Sequence, residues 1–214
     1  MIKSLQTLII LFFFAGNFLS CNDNVKNNTG VATNTLPGSK SVNPYAAVDQ
    51  SPMDMSYFPA DYGIKKMKAI DSFSLPVARV IYSRPQKKGR VLFGNSDQSL
   101  CQYGKEWRLG ANEATEIEFF KEVVIAGKLI PQGKYIIYCI PYADKWAIVL
   151  NSNLFSWGLN MDASKDIFKT EILIELQSPA LEHFTMVFDT ETQGMNLIMA
   201  WDNVKAVLPI AYAK

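Results

Sequence analysis

The chain has 214 residues, a length suited to one ordinary domain with extensions and a core of useful size. Apolar residues make up 49% and charged residues 19%, a globular rather than disordered composition. Lys+Arg total 21 against 20 Asp+Glu, and only Lys3 precedes Cys21, so the chain beyond Cys21 carries 20 of each; that neutrality argues against a nucleic-acid footprint and against a polybasic membrane surface.

Residues 1–21 have the form of a signal peptide. Lys3 supplies a positive start, and 8–15 form an apolar run too short to span a bilayer, which takes about 20 residues. The segment closes on Phe18-Leu19-Ser20-Cys21. A small residue just before a cysteine, directly after the apolar run, resembles the lipobox of bacterial lipoproteins. The likeness departs at Phe18, where an aliphatic residue is usual. It implies acylation of Cys21 and a lipid anchor in the bacterial cell envelope. Asn22 in place of aspartate favours the outer membrane under the best-known sorting rule. An ordinary secretory signal with an incidental Cys21 is the alternative. Residues 22–50, rich in Asn, Thr, Gly, Ser and Pro and without apolar periodicity, read as a flexible tether. Residues 51–214 read as a single β domain.

Within it, 51–59 carries Pro52 and Pro59 and is expected to be extended. Residues 78–82 form the first clear strand. A turn at Lys87-Lys88-Gly89 leads to a short strand at 90–94 and a polar loop at 95–104. In 115–119, strict alternation turns Ile117 and Phe119 inward and Glu116 and Glu118 to water. Residues 123–125 with Ala126-Gly127-Lys128 predict a hairpin. Residues 134–140 predict a strand buried on both faces and ended by Pro141; 146–151 predict the next. Residues 151–168 are irregular, with a helical turn expected near 163–168. Alternation then predicts strands at 170–176, 184–188 and 197–201. A turn at Asp202-Asn203 and a last strand at 204–210 follow. About ten short strands without a convincing amphipathic helix mean an all-β protein, an antiparallel β-sandwich or jelly roll with little helix.

The densest group of polar side chains is Trp107-Arg108-Leu109-Gly110-Ala111-Asn112-Glu113-Ala114-Thr115, where a loop enters a strand. Extended back through Tyr103-Gly104-Lys105-Glu106, and together with Tyr82-Ser83-Arg84-Pro85, Gly89-Arg90-Val91-Leu92-Phe93-Gly94, Pro131-Gln132-Gly133-Lys134-Tyr135 and Trp157-Gly158, it resembles the domain-of-unknown-function 2911 family in the order of its motifs. The resemblance covers about 51–210. It implies a bacterial secreted protein or lipoprotein, and transfers no catalytic residue, because the family has no established activity. The chain departs from the family pattern at 95–101, where a shorter link is usual, and at Asn160-Met161, where an aromatic is expected.

The candidate site residues are Arg84, Trp107, Arg108, Asn112, Glu113 and Trp157. Arg108 offers a fork for a carboxylate or phosphate, Glu113 a base or hydroxyl acceptor, and Trp107 a stacking surface. The same group also reads as structure, with Arg84 or Arg108 paired to Glu113 and Gly110 placed for a positive φ. Trp157 is the tryptophan expected to be exposed. His183 is the only histidine and stands beside Glu182 without a nucleophile elbow, which argues against a triad. Asp162 and Asp166, at i and i+4, could share a cation; otherwise they read as solvated loop acids, or Asp162 as the cap of the helical turn. There is no C-x-x-C and no second histidine, so no metal site is expected, and no cofactor. Cys101 and Cys139 could pair or stay as thiols. The leading expectation is a membrane-tethered module that binds a small molecule, glycan or protein. The alternatives are an envelope hydrolase using Glu113 with Arg108 and a purely structural module.

Overall fold

A computed structural model describes residues 48–68 and 75–213. Cys21, the signal-like segment and nearly all of the 22–50 tether lie outside the described residues. The strands are β1 (Met53–Phe58), β2 (Ala78–Ser83), β3 (Phe93–Gly94), β4 (Cys101–Gln102), β5 (Glu116–Phe119), β6 (Val123–Ile125), β7 (Lys128–Ile130), β8 (Gly133–Pro141), β9 (Lys145–Asn151), β10 (Asp166–Glu191) and β11 (Gly194–Tyr212). One short helix, α1 (Tyr62–Lys68), and a 3-10 turn at Ala163–Lys165 complete the described elements. The protein is all-β. Among the described residues no helix is long and apolar enough to cross a membrane.

Nine strands join in one antiparallel ladder, ordered β1-β2-β5-β8-β9-β10-β11-β6-β7. β3 and β4 form a separate parallel pair, Phe93 with Cys101. The ladder becomes two layers because β10 bends. Its first part pairs with β9, and its register against β11 slips between Leu176 and Thr185. Beyond the bend it returns to the start of the ladder. Phe184 N donates to Pro85 O at 3.0 Å, Lys87 N to Glu182 O at 2.7 Å, and Phe188 N to Ser56 Oγ at 3.4 Å.

The core lies between these layers. Ile117, Phe119, Ile137, Cys139, Trp146 and Ile148 enter it from one side, and Phe184, Met186, Leu197, Met199 and Trp201 from the other. Ile117, Phe119, Phe184, Met186, Leu197, Met199 and Trp201 are the alternating positions legible in the sequence. β8 is buried on both faces from Tyr135 to Cys139. Cys101 and Cys139 are both buried free thiols.

Two expectations are corrected. The stretches 170–176 and 184–188 are one continuous strand, and so are 197–201 and 204–210. Asp202 does take the left-handed φ of a turn residue, 55°, but it lies opposite Leu181 in the irregular part of the β10–β11 ladder. The turn signals around Pro179 and Asp202 face each other, so they bend a paired hairpin instead of reversing either strand. α1 was not legible, because Tyr62 is its only buried residue.

β11 is coiled enough for its ends to meet: Tyr212 N donates to Gln193 O at 3.0 Å. A Cβ on Gly194 would lie 2.1 Å from Ile210 O, so the closure requires glycine. Gly194→Ala is expected to cost about 1–3 kcal/mol, which at about 2–4 °C per kcal/mol is readable as a lowered Tm in a thermal melt. An unchanged melting temperature would show that the ends of β11 can separate freely.

Candidate functional site

The 107–115 stretch is held to the core at one end. Trp107 N donates to Cys139 O at 2.8 Å, and Cys139 N to Trp107 O at 2.9 Å, so the residue forms a bridge onto β8. That bridge places its indole between the layers. The ring stacks on Trp201 at 5.7 Å and meets Phe184, Trp146 and Phe93 edgewise at 4.9, 5.6 and 5.8 Å. Trp107 is 8% exposed and its Nε1 donates to Gly110 O at 3.3 Å. The ring is a core element here, with no open face to stack on a sugar.

Beyond it the backbone turns sharply. Leu109 and Asn112 have left-handed φ values of 54° and 58°. Gly110 does not. It is needed for close approach, since a Cβ there would sit 3.1 Å from Ser83 O and 3.2 Å from Thr115 Oγ1. Thr115 Oγ1 donates to Leu109 O at 2.7 Å and closes the loop.

The charged residues of the sequence-derived set do not converge. Arg84 pairs with Asp54 at 3.2 Å and donates to Phe184 O at 3.3 Å and Thr185 Oγ1 at 3.1 Å, tying β1 to β10. Asn112 Nδ2 donates to Asp49 Oδ2 at 2.8 Å. Glu113 is exposed and makes no ion pair or hydrogen bond within the described residues. Neither arginine is bonded to it. Asp202, another carboxylate available for acid–base work, is held by Lys87 at 2.6 Å. Arg108 donates Nη1 to Trp157 O at 3.1 Å. Burial pulls its pKa down, and the nearby Glu113 charge opposes that without reversing it.

Two hollows flank the stretch. The first, about 350 Å³, lies between Arg90, Glu106, Arg108, Leu100 and Leu159, with the backbone of Gly110 at its floor. The second, about 290 Å³, lies between Tyr82, Glu113, Glu116 and Met53. Burial pushes the Tyr82 phenol up to about 12. Arg108 and Glu113 therefore serve different hollows. A larger apolar hollow, about 600 Å³, lies by Val124, Gln193 and Tyr212 and carries no charged side chain. Among the described residues no three His, Cys, Asp or Glu side chains gather as a metal would need.

The stretch also holds a neighbouring loop. Ala114 N donates to Ser156 O at 3.3 Å, and Glu106 Oε2 accepts from Met161 N at 3.3 Å. Gly158, at φ 79°, packs so closely that a Cβ would lie 2.9 Å from Arg108 Cβ. Asp162 caps the 3-10 turn, accepting from Ser164 N at 3.0 Å and from its hydroxyl at 2.6 Å. Trp157 is exposed, as expected from its irregular setting.

A family model described as a protein of unknown function (DUF2911) matches residues 65–210. The chain belongs to this family. No curated protein and no solved structure matches it. The DUF2911 match contains both arginines of the first hollow and the whole Trp157 loop, but not Asp49, the partner of Asn112. Arg90 and Glu106 stand in the family motifs but were not among the candidate site residues, and the first hollow sets both beside Arg108. Arg90 reads locally as the start of a strand, and only folding brings it to Arg108.

Core and site roles separate by stability. Trp107→Ala is expected to lose about 3–5 kcal/mol in denaturant unfolding, as for other buried aromatics. Arg108→Ala is expected to change stability by no more than about 1 kcal/mol, having no ion pair to lose. Equal losses would make Arg108 a structural residue.

Proposed function

We propose that this DUF2911 protein is an envelope-tethered binding module, and that the hollow between Arg90 and Arg108 takes a small molecule or glycan through an anionic group. The observation that carries this reading is the distribution of charge partners. The chain has four arginines. Arg79 and Arg84 are each paired with a carboxylate, Glu118 and Asp54. Arg90 and Arg108 have no carboxylate partner among the described residues, and both line the same hollow. Arg90 gives its guanidinium hydrogen bonds to carbonyls of Gln86 and Lys87, and Arg108 gives one to Trp157 O. The Arg108 guanidinium is partly desolvated and in ion-pair contact with no carboxylate, so it gains from a bound carboxylate or phosphate, whose hydrogen bonds are charge-assisted; Arg90 adds an exposed second cation, and Glu106 at the edge of the hollow opposes an anion in part. The volume suits a small ligand or one sugar residue.

The hydrolase reading has less support. Glu113 faces the other hollow, so a base there and the Arg108 fork would not share one bound group. The tether part of the proposal rests on the lipobox-like residues up to Cys21.

Thermal melts with glucuronate, glycerol phosphate and glucose test the site. An anionic ligand at 100 times its Kd is expected to add about 2.7 kcal/mol, or roughly 5–10 °C in Tm. Arg90→Ala with Arg108→Ala should abolish the shift, and Glu113→Gln should leave it intact. Equal stabilisation by glucose, or a shift that survives loss of both arginines, would overturn the anionic site. For the tether, Cys21→Ala is expected to move the chain out of the membrane fraction; unchanged partitioning argues against acylation.

A further inference from the structure

The loop after β9 shows an alternation turned inside out. Phe155, Trp157 and Leu159 are 90%, 55% and 67% exposed. The residues between them face inward: Ser156 O accepts from Ala114 N, and Gly158 packs on Arg108 and Ala114. The ridge is thus pinned from below, and its apolar side chains are held outward rather than left out by slack chain. Phe155 has a φ of 64°, rare for a bulky residue, and is the most exposed large apolar side chain described. Leu100, also exposed, lines the Arg90–Arg108 hollow together with Leu159.

We propose that this ridge is a lipid-contacting element, which sets Phe155, Trp157 and Leu159 into the interfacial zone of a bilayer and brings Arg90 and Arg108 against lipid phosphates. The inference rests on the tethered, anion-binding reading above for the direction of the membrane and for the use of the hollow. The entry of the chain supports the lipid surface as occupant. Asp49 bonds to Asn112 on the central stretch, and Ser51 lines the same hollow as Arg108 and Leu159. The chain outside the described fold therefore ends beside the ridge. Residues 22–47, of linker composition, reach roughly 30 Å, so an anchor at Cys21 would keep this side of the domain near the bilayer. Tryptophan and phenylalanine suit the interface, where an apolar ring and nearby cations meet headgroups. The neutral composition argues against a polybasic mode of attachment, and the ridge needs none.

The experiment uses the full-length chain with vesicles of phosphatidylethanolamine and phosphatidylglycerol carrying brominated acyl chains. Trp107, Trp146 and Trp201 are buried, and residues 1–21 contain no tryptophan, so quenching by lipid reports Trp157 and not the anchor. The expected result is quenching that vanishes in Trp157→Phe while the other tryptophans still emit. Phe155→Ser with Leu159→Ser is expected to weaken contact by about tenfold or more, as two large apolar side chains leave the bilayer. A chain that floats with the vesicles but shows no Trp157-dependent quenching overturns this inference and leaves the tether standing. A chain that does not float overturns both. Cross-linking from position 157 to an envelope protein instead of lipid also overturns it. The glycerol phosphate melts report the hollow separately.

Discussion

The protein depends on where Trp107 is held. Its two backbone hydrogen bonds to Cys139 fix a loop residue to β8, an interior strand of the ladder, and its ring then touches aromatic side chains from β3, β9, β10 and β11. Each such aromatic pair adds about 0.5–1.5 kcal/mol beyond the area it buries. Because Trp107 and Leu109 both point inward, Arg108 between them must point outward. The position of the cation follows from the packing of its neighbours. The same anchoring brings Gly110 against Ser83 and lets Ala114, Arg108 and Glu106 hold the 156–161 backbone.

Around that anchor, charge satisfaction divides the surface into structural and unspent parts. Arg84 is used by Asp54, Thr185 and a carbonyl at the seam where β10 returns to β1 and β2. Lys87 and Asp202 pair across the bend of the long hairpin. These pairs are partly exposed and contribute little net stability, but they fix which segments lie together. Polar satisfaction extends under the irregular segment as well. Asp166 accepts from Tyr138 and Asn151 at 2.7–3.1 Å, and Asn151 also donates to Asp162 O at 2.9 Å. Against this background the Arg90–Arg108 hollow stands out for two guanidinium groups that form no ion pair, although Glu106 shares its lining.

Much of the fold was legible. Period-2 alternation placed Ile117 and Phe119 and the inward faces of 184–188 and 197–201, a continuous apolar run placed the doubly buried β8, and turn residues placed the β6–β7 hairpin. In 170–176 the expected face holds for the half-buried Ile172 and Ile174 but not for Leu176, which is exposed. The continuity of β10 and β11 was not legible. A turn residue such as Asp202 reads as a reversal when seen alone, and becomes a kink only because Leu181 opposes it. The candidate site was legible as a location and not as an arrangement. Trp157 was legible as the exposed tryptophan from its irregular setting, whereas the core position of Trp107 is fixed by the pairing of its backbone with β8.

The sequence by itself determined an all-β chain, its neutral charge, most strand faces and the family motif, because these follow from composition and from side chains alternating along a local backbone. Only the tertiary structure decided that Arg84 is paired while Arg108 is not, that Glu113 and Arg108 serve different hollows, and that Phe155, Trp157 and Leu159 form a fixed outward ridge. Those outcomes turn on contacts between residues tens of positions apart, such as Arg84 with Asp54 and Arg108 with Trp157. The register of strands that no local pattern encodes sets those distances.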